Sequence, residues 1–288
     1  LMLNIPVLDG FTFTKLEYTE LLDRYFSIPN YQSELLGTSF DGHNIYGFKL
    51  GDPTKPVMYI EANIHGLHEW RTCYWLSEFM KLLVDHDTLP QREIFDYLTA
   101  NYCFYFIPSV NPDGYVNNNY RNGNMVSISE NFDVNWGVQT ALPGQPEYPG
   151  PYPWSEPESR IVRDKILELK PLSVLCLHTW GSHTGFTTRY PKNREYTETI
   201  VNMYRSLNYT LGYDSSFDTY LSMILETASA YNWAGEQTSK NGRKTFGQVF
   251  ETGGNSSEYE QSKMGLNGIL YHCLFVDNMF KTGNKTFQ

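Results

Sequence analysis

Three apolar runs each lead to a side chain that can bind a metal or move a proton. Residues 57–60 lead through Asn63-Ile64 to His65, residues 172–177 deliver His178, and residues 246–250 end at Glu251, followed by Thr252-Gly253-Gly254. Short apolar runs bounded by turn signals predict buried strands, and in an open α/β sheet ligands bind just beyond the carboxyl ends of strands. A lone histidine at a strand end is usually structural. Two histidines and two carboxylates, Glu69 and Glu251, gathered at such ends are seldom accidental, and two histidines with one carboxylate make a normal catalytic zinc set that leaves a fourth position for water. The bland reading of Glu251, a salt-bridged carboxylate at a strand end, loses weight beside His65 and His178.

The rest of the chain must position these groups. Residues 18–25 read as a short amphipathic helix. Asp41-Gly42 between two alternating runs is a hairpin signal. Residues 69–84 read as a long helix with Trp75, Phe79 and Leu82 on one face. Residues 102–110 read as a strand closed by a turn at Asn111-Pro112-Asp113-Gly114. Residues 117–154, rich in Asn, Gly and Pro, read as long surface loops. Ser155 is the expected cap of a helix running to about Lys170, with Glu156 and Glu158 in its first turn. Residues 197–207 and 265–280 read as further helices. Alternating strands and helices predict an α/β fold: a single domain over residues 1–288 with a mixed, mostly parallel twisted sheet flanked by helices.

Composition narrows the function classes. Of the 288 residues, 41% are hydrophobic and 19% charged, as in ordinary globular proteins. The formal net charge of -10 disfavours a broad nucleic-acid footprint. Aromatics reach 16%, with 22 Tyr, which reads either as a Tyr-rich core and surface or as an aromatic-lined groove for peptide or glycan. Cys73, Cys103, Cys176 and Cys273 are widely spaced and lack a CxxC pattern, so buried free thiols are expected, leaning towards a reducing compartment. No apolar run approaches the roughly 20 residues of a membrane span. The start carries no signal-peptide pattern; Leu1 suggests a trimmed chain, so cytoplasmic, secreted and virion-associated locations stay open.

Five ordered blocks carry a resemblance. They are Gly37-Thr38-Ser39-Phe40-Asp41-Gly42; Ile64-His65 through Glu69-Trp70; Val110-Asn111-Pro112-Asp113-Gly114-Tyr115; Ser155-Glu156-Pro157-Glu158; and Leu177-His178-Thr179. Together they resemble the zinc carboxypeptidase family over residues 18–280. The resemblance implies a carboxypeptidase A-like fold, one zinc ion and hydrolysis of a peptide substrate. It implies His65 as the first zinc ligand, His178 as the last and Glu251 as the general base. Asp133, in Asp133-Val134-Asn135, resembles the aspartate that orients the first ligand's imidazole. Asn135 resembles the asparagine that holds the substrate's terminal carboxylate, and Arg121 the arginine that polarises the scissile carbonyl.

Three departures from the family pattern bear on activity. The family motif is His-x-x-Glu, but His68 stands three residues after His65 and Glu69 four. Glu69, followed by Trp70 as in the family, is the favoured third ligand, with His68 as the alternative. Trp136 follows Asn135 where the family has the arginine that clamps a free C-terminal carboxylate. Arg189 is a candidate substitute; otherwise an endopeptidase or a differently ended substrate, such as a cell-wall peptide, is expected. The family's mobile tyrosine has no clear match, and Tyr231 is the nearest candidate. Two other functions remain: deacylation of N-acyl amino acids, and peptide or cell-wall binding without catalysis.

Overall fold

The computed structural model describes residues 7–138, 141–179, 185–187, 229–252 and 257–282. The most apolar runs form the middle of one seven-stranded sheet. Strands β3 (Val57–Ala62), β4 (Cys103–Ile107) and β5 (Ser173–Thr179) are buried along their whole length, as parallel strands covered on both faces must be. The strand order is β1-β2-β4-β3-β5-β7-β6, where β1 is Gln32–Thr38, β2 Asn44–Leu50, β6 Gly185–Thr187 and β7 Phe246–Thr252. Strands β4, β3, β5 and β7 run parallel; β1, β2 and β6 pair antiparallel. Successive side chains alternate between two cores. Met58, Ile60 and Ala62 face helices α1 (Tyr18–Phe26), α2 (Gly66–Leu82), α3 (Arg92–Asn101) and α7 (Glu258–Thr282). Val57 and Tyr59 face α5 (Pro157–Leu169) and α6 (Ala230–Glu236).

This topology creates a crevice beside β3. The chain leaves β3 through α2 and α3 to reach β4 on one side, then returns past α4 (Pro112–Asn117) and α5 to β5 on the other. The connections therefore diverge at the carboxyl ends of β3 and β5, a switch point where ligands bind. Register puts Ala62 opposite Leu177 and His178 opposite Glu251, so the three reactive strand ends lie side by side.

Several boundaries and roles differ from expectation, each for a physical reason. Helix α2 starts at Gly66, three residues before Glu69, because Glu69 reaches back to the His65 amide (Oε2···N 3.0 Å) and satisfies a free N–H at the helix start. Gly66 is required there, since a Cβ would strike the backbone of Gly114 in α4. Asn111-Pro112-Asp113-Gly114 begins helix α4 and is not merely a turn: Asn111 caps it by accepting the Gly114 amide at 2.8 Å, and Pro112 takes the first position. Helix α3 was not anticipated; only Phe95 and Leu98 of it are buried, too few for a clear period. Glu156, not Ser155, occupies the cap position of α5. Residues 126–132 are buried, contrary to the surface-loop expectation. A buried loop needs partners for its backbone, and two asparagines supply them. Asn122 Oδ1 accepts the Val126 amide at 3.0 Å, and Asn131 Nδ2 donates to the Pro149 carbonyl at 2.7 Å. All four cysteines are buried free thiols. The predicted helix at 197–207 lies outside the described residues.

Glu158 ties α5 to the hairpin loop. It is fully buried and accepts the Phe40 amide at 3.0 Å and Asn122 Nδ2 at 3.2 Å. Burial pushes its carboxyl up to about 7. The folded state thus favours the protonated form relative to the unfolded chain, where a glutamate titrates near ~4.3. Its contribution is complete below that value and is lost as pH rises to about 7. Between pH 5 and 8 the loss is on the order of 2–3 kcal/mol at about 1.4 kcal/mol per unit. Glu158→Gln is therefore expected to flatten the fall in melting temperature over that range. An unchanged pH dependence in the variant would refute the assignment.

Candidate metal centre

His65 is placed by a tightly held turn. Asn63 adopts a left-handed φ of 55°, which asparagine tolerates better than most residues. Its backbone amide donates to Thr72 Oγ1 at 2.9 Å, and its side chain donates to Ser109 Oγ at 2.8 Å and the Asn111 carbonyl at 3.0 Å. His65 then precedes α2 as its cap, so residues three and four further on share its face. Position four holds Glu69. His178 arrives from β5.

The three side chains converge. His65 Nδ1 lies 2.8 Å and His178 Nδ1 3.0 Å from Glu69 Oε1. One ligand atom from each residue falls within 4.8 Å of the others, and all three residues are buried. Two imidazole nitrogens and a carboxylate oxygen at this spacing fit a catalytic zinc ion. His68 is half-buried and outside this group, so Glu69 is the carboxylate that faces it.

The electrostatics are those of a cation site. Burial opposes ionisation of Glu69, but the two imidazoles outweigh it and hold its carboxyl down at about 2. Burial also opposes a charged His178, yet Glu69, with Glu251 and Glu61 adding, pushes its pKa up to about 9. For His65 burial prevails and the pKa is lowered. Burial pushes the Glu251 carboxyl up to about 8, with His178 opposing and Glu69 adding. Ligand imidazoles must be neutral, so His178 would have to give up its proton to hold a metal.

Three residues around the centre went unnoticed in the sequence. Tyr120 stacks on the His65 ring at 4.0 Å between centroids and 10° between planes. Ser129 Oγ lies 2.7 Å from His65 Nε2. Glu61 is buried on β3 opposite Cys176, accepting the Tyr59 hydroxyl at 2.7 Å and the Cys176 thiol at 3.1 Å. An alternating strand pattern alone could have put Glu61 in the core and flagged it as unusual. No local pattern marks Tyr120 or Ser129.

Ser129 stands against His65 where Asp133 is expected. Asp133 is exposed and does not orient His65; Ser129 makes that contact, four residues upstream. Asn135 sits half-buried in a turn at φ 50°, its carbonyl accepting the Val138 amide. Asn131 is buried, its Nδ2 shared between the Pro149 carbonyl (2.7 Å), the Tyr152 carbonyl (3.1 Å) and Ser155 Oγ (2.9 Å). Phe132 is fully buried, packed edge-on against Trp154 at 4.9 Å and near Trp233. Arg121 is half-buried and donates to the Gln145 carbonyl at 3.1 Å. Tyr231 is a core residue of α6 and not a mobile cap: its helix is packed against β7, where a Cβ at Gly247 would strike the Tyr231 carbonyl. Arg189 lies outside the described residues.

Comparison with known proteins adds four findings. The zinc carboxypeptidase family matches residues 20–274. Carboxypeptidase B of Astacus astacus is 26% identical over 197 residues, covering 58% of this chain and 62% of that protein, so the match spans less than two thirds of the relative. Carboxypeptidase A from Helicoverpa armigera superposes with a TM-score of 0.70 at 19% identity, over 91% of this chain and 74% of that one. A murein-tripeptide amidase from Escherichia coli O157 superposes with a TM-score of 0.54 at 16% identity, over 87% and 94%. At these identities the structural likenesses show a common fold. Among the described residues, no helix is long and apolar enough to cross a membrane.

Proposed function

The chain belongs to the zinc carboxypeptidase family, and from that premise we propose that it is a zinc-dependent metallopeptidase that hydrolyses an amide bond of a peptide. The observation that carries this reading is the convergence of His65, Glu69 and His178, with Glu251 in register beside His178. Held by these three residues, zinc supplies Lewis acidity at a carbonyl oxygen and lowers the pKa of water. Glu251 is the general base: in register beside His178, its carboxylate takes a proton from water and returns it to the leaving amine. Arg121 supplies the positive charge for the developing oxyanion.

The substrate class follows from what stands where a carboxylate clamp would be. Recognition of a free C-terminal carboxylate needs a bidentate guanidinium. Trp136, which follows Asn135 where the family pattern has that arginine, offers none; its ring N–H donates to the Pro149 carbonyl at 3.3 Å. The substrate is therefore one whose end this segment does not read: an internal peptide bond or a differently ended peptide. The fold it shares with a murein-tripeptide amidase makes cell-wall stem peptides worth testing.

The test is a panel of matched peptides with free and amidated C-termini, peptidoglycan stem peptides and N-acyl amino acids. Cleavage of amidated or stem peptides at least as fast as the free-ended peptide is expected. A strong preference for the free carboxylate would overturn the substrate class. Turnover of N-acyl amino acids alone would favour a deacylase, and bound zinc with no turnover of any member would favour a binding module.

A further inference from the structure

We propose that Ser129 is a positioning residue of the metal centre, its neutral hydroxyl doing for His65 what a carboxylate or carbonyl does for most metal-binding histidines; this rests on reading the trio as a zinc site. The imidazole presents two nitrogens to two different partners. Nδ1 faces Glu69 Oε1 at 2.8 Å, on the side of the other ligand atoms, and Nε2 faces Ser129 Oγ at 2.7 Å. For Nδ1 to offer a lone pair to an ion, the neutral ring must carry its proton on Nε2. Ser129 Oγ then accepts that proton in a hydrogen bond. Its own proton has two buried acceptors within reach, Ser127 Oγ at 3.2 Å and Glu130 Oε1 at 3.5 Å.

The backbone makes this contact rigid. Ser129 is 4% exposed and lies in the single-turn 3-10 helix Ile128–Glu130. The Ser127 amide donates to the Tyr148 carbonyl at 2.8 Å and the Asn131 amide to the Ile128 carbonyl at 3.1 Å, fixing both flanks. Tyr120 covers the ring face, so His65 is held on one face and at its far nitrogen. A hydroxyl differs from a carboxylate in two respects. It can donate as well as accept, so it enforces the Nε2–H tautomer only while its own proton is engaged elsewhere. It also adds no negative charge, so it strengthens the imidazole as a ligand less than a carboxylate would. The centre as built is therefore weaker for zinc than its ligand set allows.

The test is zinc affinity of the full chain, by competition with a chromogenic chelator, for the wild type and for Ser129→Ala, Ser129→Thr and Ser129→Asp. Metal-free melting curves report on folding. Alanine is expected to weaken zinc binding by roughly 10–100-fold, threonine to stay near the wild type, and aspartate to bind more tightly than the wild type. Cobalt substitution should give the same absorption spectrum for threonine and an altered one for alanine. Equal zinc affinity in all four folded proteins would overturn the proposal. Should the alanine variant fail to fold, the comparison of threonine with aspartate decides, equality overturning it. A wild type that binds no zinc overturns the metal reading itself, and this proposal with it.

Discussion

Glu251→Gln is expected to lower kcat by about 10²–10⁴-fold and to leave one zinc per chain. Glutamine keeps the shape of the side chain and its place opposite His178 in the β5–β7 ladder. It cannot take a proton from water or deliver one to a leaving amine. Glu251 is not one of the three residues whose ligand atoms cluster, so metal content should be unaffected. The measurement is steady-state kinetics on the best member of the peptide panel, with elemental analysis of the same sample. Undiminished turnover would remove Glu251 from the base role. Loss of zinc together with turnover would make it part of the ligand set.

His178→Ala is expected to cost most of the metal. Removing a direct ligand should weaken zinc by at least the ~100-fold that loss of a supporting contact can reach. The metal-free protein should also melt lower. Glu69 is 3% exposed and ionised, and its oxygen lies between two imidazoles at 2.8 and 3.0 Å. Taking one away leaves a buried carboxylate with a single partner on that oxygen, and breaking a buried pair costs roughly 3–5 kcal/mol. Elemental analysis after gel filtration, with melting curves in chelator, checks both effects. A full complement of zinc in the variant would show that the histidines do not share an ion.

The two variants separate two layers of the centre. On the proposed mechanism Glu251 acts only while a bond is being broken, whereas His178 holds the ion.

Local patterns determined a good part of this protein from sequence alone. The runs at 57–60, 172–177 and 246–250 predict β3, β5 and β7, because strands covered on both faces must be apolar throughout. Asp41-Gly42 predicts the β1–β2 hairpin, with Gly42 at φ 90° where other residues are strained. His65, His178 and Glu251 are legible as strand-end groups because the end of an apolar run marks the end of a strand. Tertiary structure alone brings Glu69 rather than His68 beside His65 and His178, since both lie on one helical face and only the arrival of β5 sets one of them against the histidines. It also decided which residue of the 126–136 segment meets His65. Asp133-Val134-Asn135 imitates the expected motif in letters, but Ser129 meets His65, because a loop folded inward by Asn122 and Asn131 has no period from which its facing can be read. Periodicity carries information about neighbours a few residues apart; contacts between segments 60 to 110 positions apart are fixed by packing and are written in no single stretch of chain.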